Sequence, residues 1–146
     1  MHALGQPAPQ VPIELALTGR VEHPRTLTLA ELQAMPAVTV EATFVTGQGP
    51  QAGRFTGVPL WALLQAAVPV DEPGRNTHLR HTLLAQGRDG YGVALAIGEL
   101  DPNFAGKQVL VAYAEEGRAQ TGLRLIVPGD MRAGRGVRDL VSIEVR

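Results

Sequence analysis

Cysteine is missing from all 146 residues, which excludes disulfides, thiolate zinc sites, cysteine-ligated iron–sulfur clusters and thiol nucleophiles. Serine occurs once, as Ser142, in an apolar terminal run without a Gly-x-Ser-x-Gly context, so serine hydrolase chemistry is set aside too. Lysine also occurs once, at Lys107, and the rest of the 13 basic residues are arginines. Apolar runs end after a handful of residues, far short of the ~20 that a membrane-spanning helix requires. A net charge of −1 argues against a nucleic-acid partner or insertion at an acidic membrane. The opening stretch Met1 to Pro9 lacks the basic and apolar regions of a secretory leader. The expected compartment is therefore the cytoplasm, or the periplasm if a leader was removed.

What is present is a domain's worth of chain, 45% apolar, with 17 glycines and 11 prolines. A chain near 150 residues hides roughly two-thirds of its unfolded surface on folding, enough for one core. The early prolines disfavour regular structure, so residues 1–11 are expected to form a loosely held arm and 12–146 a single domain. Charge is uneven along it. Residues 118–146 carry six arginines against Asp130, Asp139 and Glu144, and the remainder is net acidic. Arginine suits forked, planar recognition of an oxyanion, although arginine usage can equally be a compositional habit.

Ile13 to Val21 alternates apolar and polar positions at period two and predicts a strand. Thr28 with Glu31 three residues on is a capping-box signature for a short helix that Pro36 ends. Val38 to Val45 is β-branched and reads as a second strand, and Thr46 to Pro50 as a loop because glycine and proline punctuate it. Residues 57–67 predict a helix with Pro59 in its first turn and Leu60, Leu63, Leu64 and Ala67 on its buried face. Strands are further expected over Thr77 to Ala85, Tyr91 to Ile97, Val109 to Tyr113, Leu123 to Val127 and Leu140 to Val145, with Asp89-Gly90 as a hairpin turn. Many short strands, few helices and no regular βα alternation predict an α+β domain with mixed or antiparallel sheet.

Candidate chemistry is sparse. His78 and His81 face opposite sides if their segment is a strand, so they do not form a metal pair. The adjacent carboxylates Asp71-Glu72 and Glu115-Glu116 do not face one another across a substrate and read as solvated turns. Gly47-Gln48-Gly49 follows a strand without a helix behind it, which makes a turn a better account than a phosphate cradle. The segment from Pro128 to Arg138 differs. Its glycines permit close backbone approach and its three arginines can fork onto an oxyanion. Turn formation before the last strand explains the same residues, and spacing alone does not separate the two.

Four stretches in order narrow this. They are Leu17-Thr18-Gly19-Arg20-Val21 with Pro24 and Leu27 to Leu32; Phe55-Thr56-Gly57-Val58-Pro59-Leu60-Trp61-Ala62-Leu63-Leu64; Asp89-Gly90-Tyr91; and Leu123 to Gly129 with Gly134 to Arg138. Together they resemble the oxidoreductase molybdopterin-binding domain of the sulfite oxidase family over residues 13–146. The resemblance implies a compact, mostly β α+β fold enclosing one pyranopterin. It implies that Arg124, Arg135 and Arg138 hold the pterin and its phosphate, with Gly129 and Gly134 giving close backbone approach. Asp89 and Tyr91 match the family's Asp-Gly-Tyr turn, which the resemblance places at the cofactor either as part of the pocket wall or in contact with the ligand. In catalytic members a cysteine after the second strand ligates molybdenum. The corresponding region here, about Ala42 to Gly49, has none, and Thr46 offers only a hydroxyl, a poor substitute for a soft thiolate. The expectation is thus a molybdopterin- or pterin-binding protein without the ordinary oxo-transfer reaction. The alternatives are a molybdopterin-dependent oxidoreductase of a small oxyanion or oxide with unusual metal ligation, and a non-enzymatic interaction module. Electron transfer, if any, would need a separate protein partner.

Overall fold

A computed structural model describes residues 11–146; the expected arm over 1–11 lies outside them except for Val11. Nine strands form two sheets. The first, mixed sheet contains β1 (Glu14–Gly19), β2 (Arg25–Thr28), β5 (Thr82–Gly87), β6 (Gly92–Ala96) and β9 (Leu140–Val145), ordered β2-β1-β9-β5-β6. Within it only the β1–β9 pair is parallel. The second sheet is an antiparallel meander of β3 (Val38–Thr46), β4 (Gly49–Pro59), β7 (Leu110–Glu115) and β8 (Arg118–Ile126), ordered β3-β4-β7-β8. The helices are short: α1 (Leu29–Ala34), α2 (Leu60–Ala67) and α3 (Ile97–Leu100). This is the α+β architecture with mixed and antiparallel sheet that the strand pattern predicts.

Alternation along β7 and β8 divides the apolar residues between two cores. Val111, Leu123 and Leu125 point inward to the main core with Leu15, Leu83 and Ile143 of the first sheet. Leu110, Ala112 and Ile126 point the other way and join Ala42, Phe44 and Phe55 in a smaller cluster. Arg124 alternates with Leu123 and Leu125 and so belongs to this second face. The expected buried face of α2 holds: Leu60, Leu63, Leu64 and Ala67 are all buried in the main core. The Thr28 capping box also forms, with the Glu31 amide donating to Thr28 Oγ1 at 3.2 Å and the Thr28 amide to Glu31 Oε1 at 3.0 Å.

Three local expectations are corrected. Residues Thr46 to Pro50 are not an open loop but a tight hairpin, in which Thr46 pairs with Gly49 across Gly47-Gln48. The strand that follows, β4, is masked in the sequence by its two prolines and three glycines. Two of those glycines answer to close contacts. A Cβ on Gly57 would lie 2.0 Å from the Val111 carbonyl oxygen, and one on Gly53 would lie 2.7 Å from the Phe55 ring. Gly57 and Val58 are therefore strand, and α2 begins at Leu60 with Pro59 as its N-cap instead of inside its first turn. The strand expected from Thr77 starts at Thr82, because Thr77–Arg80 form a 3₁₀ turn. Buried Thr77 anchors this turn by donating to the carboxylate of Asp71.

Gly57→Ala is expected to lower stability by more than about 2 kcal/mol, since backbone must move to admit the methyl group. Gly47→Ala, with open space around its Cβ position, is expected to change it by no more than about 1 kcal/mol. Urea unfolding of both variants checks the contrast.

Candidate functional site

The outer face of the four-stranded sheet carries the second apolar cluster, and the segment from Pro128 to Arg138 folds across it through Ala133. Several interactions tie that segment down. The Val45 amide donates to the Met131 carbonyl at 2.7 Å, and the Leu125 amide to the Val137 carbonyl at 2.9 Å. The Tyr91 hydroxyl donates to the Gly134 carbonyl at 2.6 Å. The strongest tie is Arg135, whose Nε and Nη2 reach both oxygens of Asp130 at 2.9 and 2.8 Å while Nη1 reaches Glu99 at 3.0 Å. Lys107 Nζ donates to the same Glu99 at 3.1 Å, and the Ala96 amide donates to it at 2.9 Å.

These contacts show in the acid–base behaviour of the network. The Asp130 hydrogen bonds, more than any other effect, raise the Arg135 guanidinium above its ordinary range. Arg135 in turn holds Asp130 below the ordinary carboxylate value, outweighing partial burial. Burial by itself would raise Glu99, but the Ala96 amide, Arg135 and Lys107 together pull it down.

Arg124 and Arg138 stand differently. Their backbones meet in an isolated antiparallel bridge, and both side chains line one cleft of about 290 Å³ with Phe55, Glu115, Thr121 and Asp139. The Arg124 guanidinium carbon lies 5.2 Å from the centroid of the Phe55 ring, a cation–π contact. Its Nε is buried with no hydrogen-bond partner. Among the described residues its oppositely charged neighbour is Glu115, with Nη1 to Oε1 at 3.7 Å, beyond hydrogen-bond length. Burial lowers the Arg124 pKa, the charge of Arg138 lowers it further, and Glu115 offsets part of this. The group remains protonated at neutral pH. Two guanidinium groups with so little compensation suit an oxyanion in charge and hydrogen-bonding geometry. Asp139 does not quench them, because its carboxylate accepts from Arg88 Nε at 3.0 Å.

Arg138 also lines a second cleft, with Asp89, Tyr91, Ala133, Gly134 and Gly136. The structure thus brings together Arg124 and Arg138, and around Arg138 also Asp89, Tyr91 and Gly134. Arg135 is not among the residues lining either cleft, and its guanidinium is taken up by Asp130 and Glu99. Gly129 shapes the turn into the segment at φ 93°. Thr46 sits in the β3–β4 turn, where its hydroxyl donates to the Gly49 carbonyl at 2.7 Å and accepts from the Gln48 amide at 3.1 Å. The histidines form no ligand pair. His78 Nε2 lies 3.3 Å from Asp101 Oδ2, while the buried His81 ring faces the carbonyls of Val70 and Arg146. No group of three or more histidine or acidic side chains is placed to hold a metal among the described residues. Nor is any helix among them long and apolar enough to cross a membrane.

Phe55, Glu115 and Thr121 carry no direct mark of a cleft residue in the sequence. Only the Phe55-Thr56-Gly57 stretch gives a signal, since Glu115 and Thr121 reach the cleft through the β7–β8 pairing.

The class is a two-sheet domain with an arginine-lined cleft beside a glycine-rich segment. The family described as "oxidoreductase molybdopterin binding domain" matches residues 6–146, and the chain belongs to this family, the molybdopterin-binding domain of sulfite oxidase relatives. Among solved structures, the sulfane dehydrogenase SoxCD from Paracoccus pantotrophus has a similar fold, with a TM-score of 0.75 at 22% identity. The likeness covers 91% of this chain and 38% of that one. No match was found among curated proteins.

The family implies a molybdopterin cofactor, with a phosphate at one end and a metal-binding dithiolene at the other. The unpartnered Arg124 Nε beside Arg138 fits the anionic end of a pterin phosphate. The sequence has no cysteine, so this chain offers no thiolate to the metal end. In the stretch where the resemblance implies the metal-ligating cysteine, the inward side chains are Ala42 and Phe44, and both pack in the apolar cluster.

Replacing Arg135 by methionine is expected to cost about 1–3 kcal/mol at neutral pH, from charged hydrogen bonds shielded on one side. Both carboxylates are depressed in the folded state, so their contribution is complete above their ordinary values of 4.5 and 3.8. It is lost as pH falls through the lower folded values. Urea midpoints of the wild type and the variant should accordingly converge in acid. A gap that stays constant with pH would refute the role of the network.

Proposed function

We propose that this chain binds a pyranopterin of the molybdopterin type through its phosphate, and that it does so without the ordinary oxo-transfer reaction of the family. The observation that carries the reading is the buried, unpartnered Nε of Arg124 next to Arg138. An unsatisfied buried donor on a charged group is costly unless a ligand completes it, and a phosphate oxygen does. Asp89, Tyr91 and Gly134 wall the adjoining cleft, which is open to the heterocycle. Arg135 and Gly129 act on the shape of the segment, and Thr46 on the hairpin beside it. Bound molybdopterin would bring a dithiolene able to hold molybdenum, but this chain adds no thiolate to it.

Native mass spectrometry of protein from a molybdenum-replete culture, with elemental analysis of the same sample, tests the reading. A pterin mass without stoichiometric metal is expected. Near-stoichiometric molybdenum would overturn the metal-free reading in favour of an oxidoreductase with unusual ligation, and no uptake of added pterins would leave an interaction module. Arg124→Ala and Arg138→Ala are each expected to weaken pterin binding about 10- to 100-fold, the range for losing a charged hydrogen bond at a desolvated site.

A further inference from the structure

Two arginines on this face of the domain are held in contrasting ways. Arg135 is clasped by two carboxylates at 2.8–3.2 Å with four hydrogen bonds, a permanent arrangement. Arg124 has one carboxylate near it, Glu115, at 3.7 Å and without a hydrogen bond. We propose that Glu115 is a displaceable internal counter-ion, which occupies the electrostatic place of the ligand's phosphate while the cleft is empty and swings out when a phosphomonoester dianion enters. The proposal rests on the pterin-phosphate reading above and gives it a mechanism of exchange.

The surroundings support it. Arg124 is fixed from below by the Phe55 ring, so what moves is its partner and not the guanidinium. Glu115 stands at the end of β7, just past the bulge between Ala112 and Ala114 and just before the β7–β8 turn, with its side chain 39% exposed. It has room to rotate into solvent. Its neighbour Glu116 is already engaged, accepting from the Arg54 amide at 2.8 Å, and Asp139 is paired with Arg88. Of these three carboxylates, Glu115 is the one free to exchange. With the Asp139 carboxylate engaged by Arg88, Glu115 is the carboxylate that faces the two guanidinium groups of the cleft; with it displaced, a dianion balances the two. A phosphate monoester is largely dianionic above its second ionisation near pH 6.

Isothermal titration with phenyl phosphate at about pH 8, alongside thermal melts of the ligand-free proteins, tests the exchange. Glu115→Gln is expected to bind phenyl phosphate about fivefold more tightly, the scale of one partly exposed ion pair. It should also melt lower than the wild type without ligand, because the paired arginines lose their compensation. Glu115→Ala should shift both readouts in the same directions. A residue that merely braces the strand would lower stability without raising affinity. Unchanged or weaker binding by both variants, with wild-type binding intact and abolished by Arg124→Ala, overturns the counter-ion proposal alone. Wild-type protein that does not bind phenyl phosphate, or binds it regardless of Arg124→Ala, overturns the phosphate reading and this proposal with it.

Discussion

A half-buried guanidinium on the outer face of a β-sheet is the constraint around which the rest of this domain is arranged. Arg124 occupies a position where strand alternation would otherwise place another apolar residue, between Leu110, Ala112 and Phe55 on one side and the Gly134 to Arg138 turn on the other. Desolvating an arginine is expensive, and the protein recovers part of that cost through the Phe55 ring and the loose contact with Glu115. The part not recovered is concentrated at Nε, which is buried without a hydrogen-bond partner.

The segment from Pro128 to Arg138 illustrates how residues of one type divide their work by surroundings. Arg135 falls beside Asp130 and opposite Glu99, where two carboxylates and Lys107 form a neutral network that staples the segment to α3. Arg138, three residues on, meets no such partner among the described residues and lines the cleft with Arg124. Its successor Asp139 takes a left-handed conformation at φ 50°, which an aspartate tolerates better than most residues, and is braced by Arg88. The staple and the brace hold two like charges together that would otherwise separate.

The β3 stretch of the same sheet face presents Ala42 and Phe44 to the apolar cluster, and the sequence has no cysteine to place there. Phe44 contributes packing to a cluster of only six buried residues, a small satellite core beside the main one.

Period-two patterning, the Thr28 capping box and the helical spacing of Leu60, Leu63, Leu64 and Ala67 are local signals, and each is legible in the sequence because it depends on neighbours close in the chain. The family resemblance, carried by motifs such as Phe55 to Leu64 and Leu123 to Gly129, is legible for the same reason. Strand β4 is not, since the need for Gly57 and Gly53 lies in the Val111 carbonyl and the Phe55 ring, which packing brings near. The candidate arginines can be named from the sequence, but not told apart. Whether an arginine is clasped like Arg135 or left open like Arg124 depends on which carboxylates arrive from distant strands and turns, and charge compensation is a property of three-dimensional distance that no spacing along the chain encodes.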